Sequence, residues 1–125
     1  MNLASAPSRR LLAALFVVSG SMHFLLADSY ARTVPPTLPW PTALVLISGG
    51  AEVLGGLGLL SERTRAIAGI GLILLLFMVW PANVQMLLQA RAIGASTVWQ
   101  LLLWLRLPVQ LLMMVWVWRA ARLGT

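Results

Sequence analysis

Four apolar runs, separated by short polar or proline-rich breaks, occupy most of this sequence, at about residues 11–27, 42–60, 66–88 and 98–118. A helix needs roughly 20 mostly apolar residues to cross a hydrocarbon layer about 30 Å thick, and each run is close to that length. The chain has no polar remainder from which to build a second, water-soluble layer: 60% of its residues are hydrophobic and 10% charged, against about 45–50% and about 25% in an ordinary soluble domain. The pattern predicts an all-α polytopic membrane protein, a single domain over residues 1–125 folded as a four-transmembrane-helix bundle with the lipid bilayer as its solvent.

The first run has a second reading. Arg9 and Arg10, followed by Leu-Leu-Ala-Ala-Leu-Phe-Val-Val, also suit the charged and apolar parts of a signal peptide cleaved near Tyr30-Ala31. Between the first two runs, Pro35, Pro36, Pro39 and Pro41 remove backbone donors and restrict the residues before them, which predicts the longest loop of the chain. The second run carries Gly49, Gly50, Gly55, Gly56 and Gly58. In lipid, small residues let helix backbones approach closely, so this helix is expected to be central and crowded. Pro81 in the third run predicts a kink.

Charge fixes the expected orientation. The net charge is +6, from nine arginines and no lysine. Arg9, Arg10, Arg63, Arg65, Arg119 and Arg122 fall on one side of the predicted spans and only Arg32 and Arg91 on the other. Cytoplasmic loops are enriched in basic residues, so both termini and the middle connector are expected in the cytoplasm. Trp40 and Trp99 fall near the predicted outer interface, and Trp116 and Trp118 near the inner one. The arginines flank apolar runs rather than forming a basic face, which excludes nucleic acid as the expected partner. Cysteine is absent and histidine occurs once, so neither thiol chemistry nor a protein-built metal site is expected.

Ionisable groups inside a span are costly unless they find partners or water, which makes each a functional candidate. Three occur here, His23, Glu52 and Arg106, joined by the uncharged Asn83 and Gln110. At about 1.5 Å of helix rise per residue, all five fall between the outer interface and the midplane, which predicts a shared intramembrane pocket. Spacing agrees, since Arg106 and Gln110 share one helical face, Ser48, Glu52 and Gly56 another, and Ser19 and His23 a third. Pro81 and Pro108 each free a carbonyl one turn earlier, near the same depth. Arg106 is the expected anchor for an anionic or carbonyl oxygen, Glu52 and His23 are the proton carriers, and Trp80, Met86 and Trp104 could line the pocket. The plainer alternative pairs Glu52 with Arg106 and leaves the other three as interhelical glue.

These residues sit in a recurring order: Gly20-Ser21-Met22-His23-Phe24, then Val34-Pro35-Pro36-Thr37-Leu38-Pro39, then Ser48-Gly49-Gly50-Ala51-Glu52 running on to Gly55-Gly56-Leu57-Gly58, then Pro81-Ala82-Asn83-Val84-Gln85-Met86, and finally Arg106-Leu107-Pro108-Val109-Gln110. In this the chain resembles the DoxX-like family of small bacterial membrane proteins, over about residues 11–118. The resemblance implies a four-helix membrane fold with the first helix retained, a location in the bacterial cytoplasmic (inner) membrane, and His23, Glu52, Asn83, Arg106 and Gln110 as the motif residues. It further implies an accessory subunit of a membrane redox system, quinone-linked or tied to oxidative stress, rather than a stand-alone enzyme. Quinone is then the candidate ligand, no covalent cofactor is expected, and redox or thiol-handling membrane proteins or further copies of the chain are candidate partners. Lacking cysteine, this chain departs from members that act through their own thiols. Two other functions fit the same sequence: a non-enzymatic scaffold or assembly factor, and a small proton-coupled exporter, which the strong arginine bias disfavours.

Overall fold

The computed structural model describes residues 2–32, 34 and 36–122; Pro35, one of the four prolines expected to break the chain, lies outside them. The described residues form helices only: α1 (Ala6–Leu25), α2 (Ala27–Ala31), α3 (Pro41–Gly58), α4 (Arg65–Ala92) and α5 (Thr97–Ala120). The long helices match the four apolar runs, and local chemistry sets their ends. Ser5 caps α1 by accepting from the Ser8 amide at 3.3 Å, and Ser96 caps α5 by accepting from the Trp99 amide at 3.2 Å. Gly94, at φ +66°, closes α4. Its own amide donates to Arg91 O at 3.3 Å and that of Ala95 to Ala90 O at 2.9 Å, the paired bonds of a Schellman turn. The proline-rich segment is not wholly irregular, because the five-residue α2 precedes its prolines.

The α3–α4 connector satisfies carbonyls that the end of α3 would leave unpaired. Thr64 Oγ1 donates to Gly58 O at 2.7 Å, and Arg65 Nε donates to Leu59 O at 3.0 Å.

Three helices, α3 with 18 residues, α4 with 28 and α5 with 24, are long and apolar enough to cross a membrane. Their outer faces carry Ile47, Leu54, Leu74, Phe77, Leu101 and Leu112, all more than half exposed. Water would penalise so continuous an apolar surface, whereas hydrocarbon accepts it. α1 has the length of a span, at 20 residues, but takes Arg9 and Arg10 into its own first turns.

The long helices run up and down in sequence. α1 lies antiparallel against α3, with Gly20 meeting Gly49 and Gly56 meeting Ala13 and Phe16. On its other side α3 meets α4, where Gly55 faces Leu72 and Gly58 faces Ala68. α5 then packs along α4. The glycine-rich α3 is therefore central, as its composition predicts.

The bundle is tight at one end and split at the other. Leu12 and Phe16 of α1, Leu59 beyond α3, Leu72 of α4, and Val117 and Ala120 of α5 form one buried core, drawing on all four long helices where the chain ends and the α3–α4 connector gather. A second cluster, Leu87, Ala90, Leu103 and Leu107, joins α4 to α5 alone. Between the α1–α3 and α4–α5 pairs the packing opens into a cavity.

Trp116, expected near the inner interface, is partly buried against the closed-end core. Its indole Nε1 donates to Ser8 Oγ at 2.7 Å, tying α5 to α1 at the closed end. Trp116→Phe leaves the buried Ser8 hydroxyl without that donor and is expected to cost about 1 kcal/mol, read by thermal unfolding in detergent. An unchanged midpoint would show that the bond contributes nothing.

Candidate functional site

The cavity has a volume of about 450 Å³, within the roughly 300–1,000 Å³ range of small-molecule pockets. His23, Glu52, Asn83, Arg106 and Gln110 all line it. They do not form one network. Each wall holds its own polar pair, and no hydrogen bond joins His23 or Glu52 to Asn83, Arg106 or Gln110.

The first wall is built by α1 and α3. Close approach at Gly20 and Gly49 brings His23 Nε2 to 3.2 Å from Glu52 Oε2. The other carboxylate oxygen, Oε1, accepts from Ser19 Oγ at 2.9 Å. His23 Nδ1 stands 2.9 Å from the Ser19 carbonyl, and a carbonyl can only accept, so Nδ1 carries a hydrogen. A contact between Nε2 and Oε2 then requires one proton between them, held either as imidazolium facing carboxylate or as imidazole facing carboxylic acid. The pair is electrically neutral in both forms. From α2, the Tyr30 ring stacks on His23, with centroids 4.5 Å apart and planes 6° from parallel.

The second wall belongs to α4 and α5. Asn83 Nδ2 donates to Gln110 Oε1, and Gln110 Nε2 donates to the Leu76 carbonyl. Pro81 has no amide to offer the Phe77 carbonyl one turn earlier, and the carbonyl used by Gln110 is the adjacent one. The helix nevertheless continues unbroken through Pro81.

Arg106 stands apart. Its Nη1 lies 3.7 Å from Met86 Sδ, a weak acceptor, and among the described residues no carboxylate lies within salt-bridge distance of it. The pairing of Glu52 with Arg106 suggested by the sequence is therefore replaced by Glu52 with His23. The two carboxylate oxygens are taken up on the α1–α3 wall, while Arg106 is carried by α5 on the other. Ser48, one turn before Glu52, also lines the cavity, and its Oγ is buried without a hydrogen-bond partner among the described residues. Met86 belongs to the lining as expected; Trp80 and Trp104 do not, and are 37% and 56% exposed. Among the described residues no three His, Asp or Glu side chains converge as a metal site would require.

Three contributors escape a search for charged intramembrane groups. Ser19 and Ser48 are flagged only by lying four residues from His23 and Glu52. Tyr30 gives no such signal, because it sits beyond the first span in a segment expected to be a loop.

No curated protein and no solved structure matches the chain. Residues 12–121 match the family described as Domain of unknown function (DUF8561), a range that runs from α1 to the end of α5 and holds every cavity residue named above. The chain belongs to that family.

Proposed function

We propose that this protein is an accessory, ligand-holding subunit of a membrane redox system, and that its cavity receives the head group of a quinone or a similar oxygen-rich amphiphile. One observation carries the reading: five polar side chains from all four long helices face the same space without bonding across it. Interhelical glue would bridge the gap, since polar side chains in lipid gain by bonding between neighbouring helices. Here His23 bonds with Glu52 on one wall and Asn83 with Gln110 on the other, and the space between the walls is free for an occupant.

In the proposed arrangement α1 is the fourth span. Both termini and the α3–α4 connector lie in the cytoplasm, and the split end of the bundle faces outward from a bacterial inner membrane. Support comes from arginine placement, six on the closed side against Arg32 and Arg91 on the other. The intimate α1–α3 packing, which builds half of the cavity wall, favours a retained first helix. The redox setting is taken from the DoxX-like resemblance, whose motif residues are the five that line the cavity.

A benzoquinone bearing a ten-carbon tail, titrated into purified protein and followed by native mass spectrometry, tests the ligand. Wild type is expected to bind one molecule per chain, with affinity falling about tenfold or more in Arg106→Ala, the loss of a charge-assisted hydrogen bond. Equal binding by the two proteins would remove the assigned site.

A further inference from the structure

The cavity is unbalanced in charge. His23 and Glu52 share one proton and sum to zero; Ser19, Ser48, Asn83 and Gln110 are uncharged; Arg106 adds a full positive charge that no carboxylate among the described residues meets. A guanidinium offers five N–H donors, and among the described residues the only side-chain acceptor set against this one is a thioether at 3.7 Å. Arg106 is exposed where it lines the cavity rather than sealed among other groups; with lipid around the bundle such a cation is costly, and a bound anion would offset that cost.

A second unmet group points the same way. Ser48 Oγ is buried, lines the cavity and has no partner among the described residues, although buried hydroxyls are normally hydrogen-bonded. It can donate one hydrogen bond to an occupant's oxygen. The rest of the lining is mainly apolar, including Leu44, Val45, Val79 and Met113. Ile47 of α3 and Met78 of α4 also line the cavity although 69% and 73% exposed. Two outward-facing apolar side chains on adjacent helices mark a lateral mouth between α3 and α4, through which a hydrocarbon tail can reach the lipid.

We infer that the occupant is a singly charged organic anion with an apolar tail: an acidic oxygen head, such as a carboxylate or an ionised hydroxyquinone, at Arg106 and Ser48, with its tail leaving between Ile47 and Met78. This rests on reading the cavity as a ligand site and narrows the oxygen-rich head group to an anionic one.

The test uses the purified full chain in phosphatidylcholine nanodiscs at pH 8, with three probes of equal tail length: decanoate, 1-decanol and the ten-carbon-tailed benzoquinone. Decanoate is expected to bind about tenfold or more tightly than 1-decanol. That advantage should disappear in Arg106→Gln and survive in Arg106→Lys, which keeps the charge. Ser48→Ala should weaken decanoate several-fold without altering the thermal unfolding midpoint, since the hydroxyl has no partner to lose. Competition by phosphatidylglycerol that depends on Arg106 would assign the anion to a lipid head group, and absence of competition to a single-tailed acid. If 1-decanol and the quinone bind as tightly as decanoate, or the preference survives Arg106→Gln, the anionic assignment is overturned while the ligand site stands. If none of the three probes binds, both fall.

Discussion

Gly49→Ala is expected to destabilise the protein by about 1–3 kcal/mol, the usual cost of forcing an extra methyl into a packed interior, and to separate His23 from Glu52. A Cβ at Gly49 would lie 2.6 Å from the Cβ of His23 and 2.8 Å from the Gly20 carbonyl oxygen. Neither is the free end of a flexible chain, so the added methyl must move α1 away from α3. Because this helix pair also builds one wall of the cavity, stability and ligand binding should fall together. Gly71→Ala is the internal control: a Cβ there meets nothing within 4 Å, and replacing a helical glycine with alanine gains up to about 1 kcal/mol of helix propensity. Thermal unfolding in detergent reads both. A Gly49→Ala protein as stable as Gly71→Ala would contradict the close approach of α1 and α3.

Removing the Glu52 side chain should be comparably damaging, and the form of the replacement is informative. Glu52→Ala strands Ser19 Oγ and His23 Nε2 together, and leaving such groups unpaired costs about 1–3 kcal/mol apiece when they are buried. Glu52→Gln is expected to retain most of the stability. Its amide can donate to an unprotonated Nε2 while its oxygen accepts from Ser19, reproducing the neutral form of the shared-proton pair. A glutamine variant as unstable as alanine would show that the pair is held as imidazolium facing carboxylate rather than as imidazole facing carboxylic acid.

The positions of the long helices are legible in the sequence because apolar runs of spanning length, bounded by serine caps, prolines and Gly94, leave little choice. The helix bounds fall within a few residues of the apolar runs, the largest offset being at the start of α1, where Arg9 and Arg10 are helical rather than flanking. The five polar residues are legible for the same reason, since charge and amide groups stand out against hydrocarbon. Their partners are not. Spacing along one helix tells which side chains share a face, but not how neighbouring helices rotate against one another. That rotation follows from Gly20, Gly49 and Gly56, whose missing side chains set the α1–α3 contact and so bring Glu52 to His23 instead of Arg106. Helix α2 was hidden because prolines nearby argued for irregular chain, and with it went Tyr30, whose stacking on His23 depends on a turn that spacing alone does not predict. The bond from Trp116 to Ser8 is likewise illegible in sequence, because it joins the two ends of the chain across the bundle.

In the proposed function a ligand-accessible space separates the two walls. Because the chain has no cysteine, single cysteines can be placed without background. Ala82 lines the cavity, whereas Ala120 is 0% exposed in the closed-end core. The most direct measurement is the rate at which a small membrane-permeant maleimide modifies Ala82→Cys and Ala120→Cys, with and without the ten-carbon-tailed quinone. Ala82→Cys is expected to react and to be slowed by the quinone, while Ala120→Cys stays inert until the protein is unfolded. An Ala82→Cys as inert as Ala120→Cys, or one whose rate a saturating quinone leaves unchanged, would contradict the proposed function.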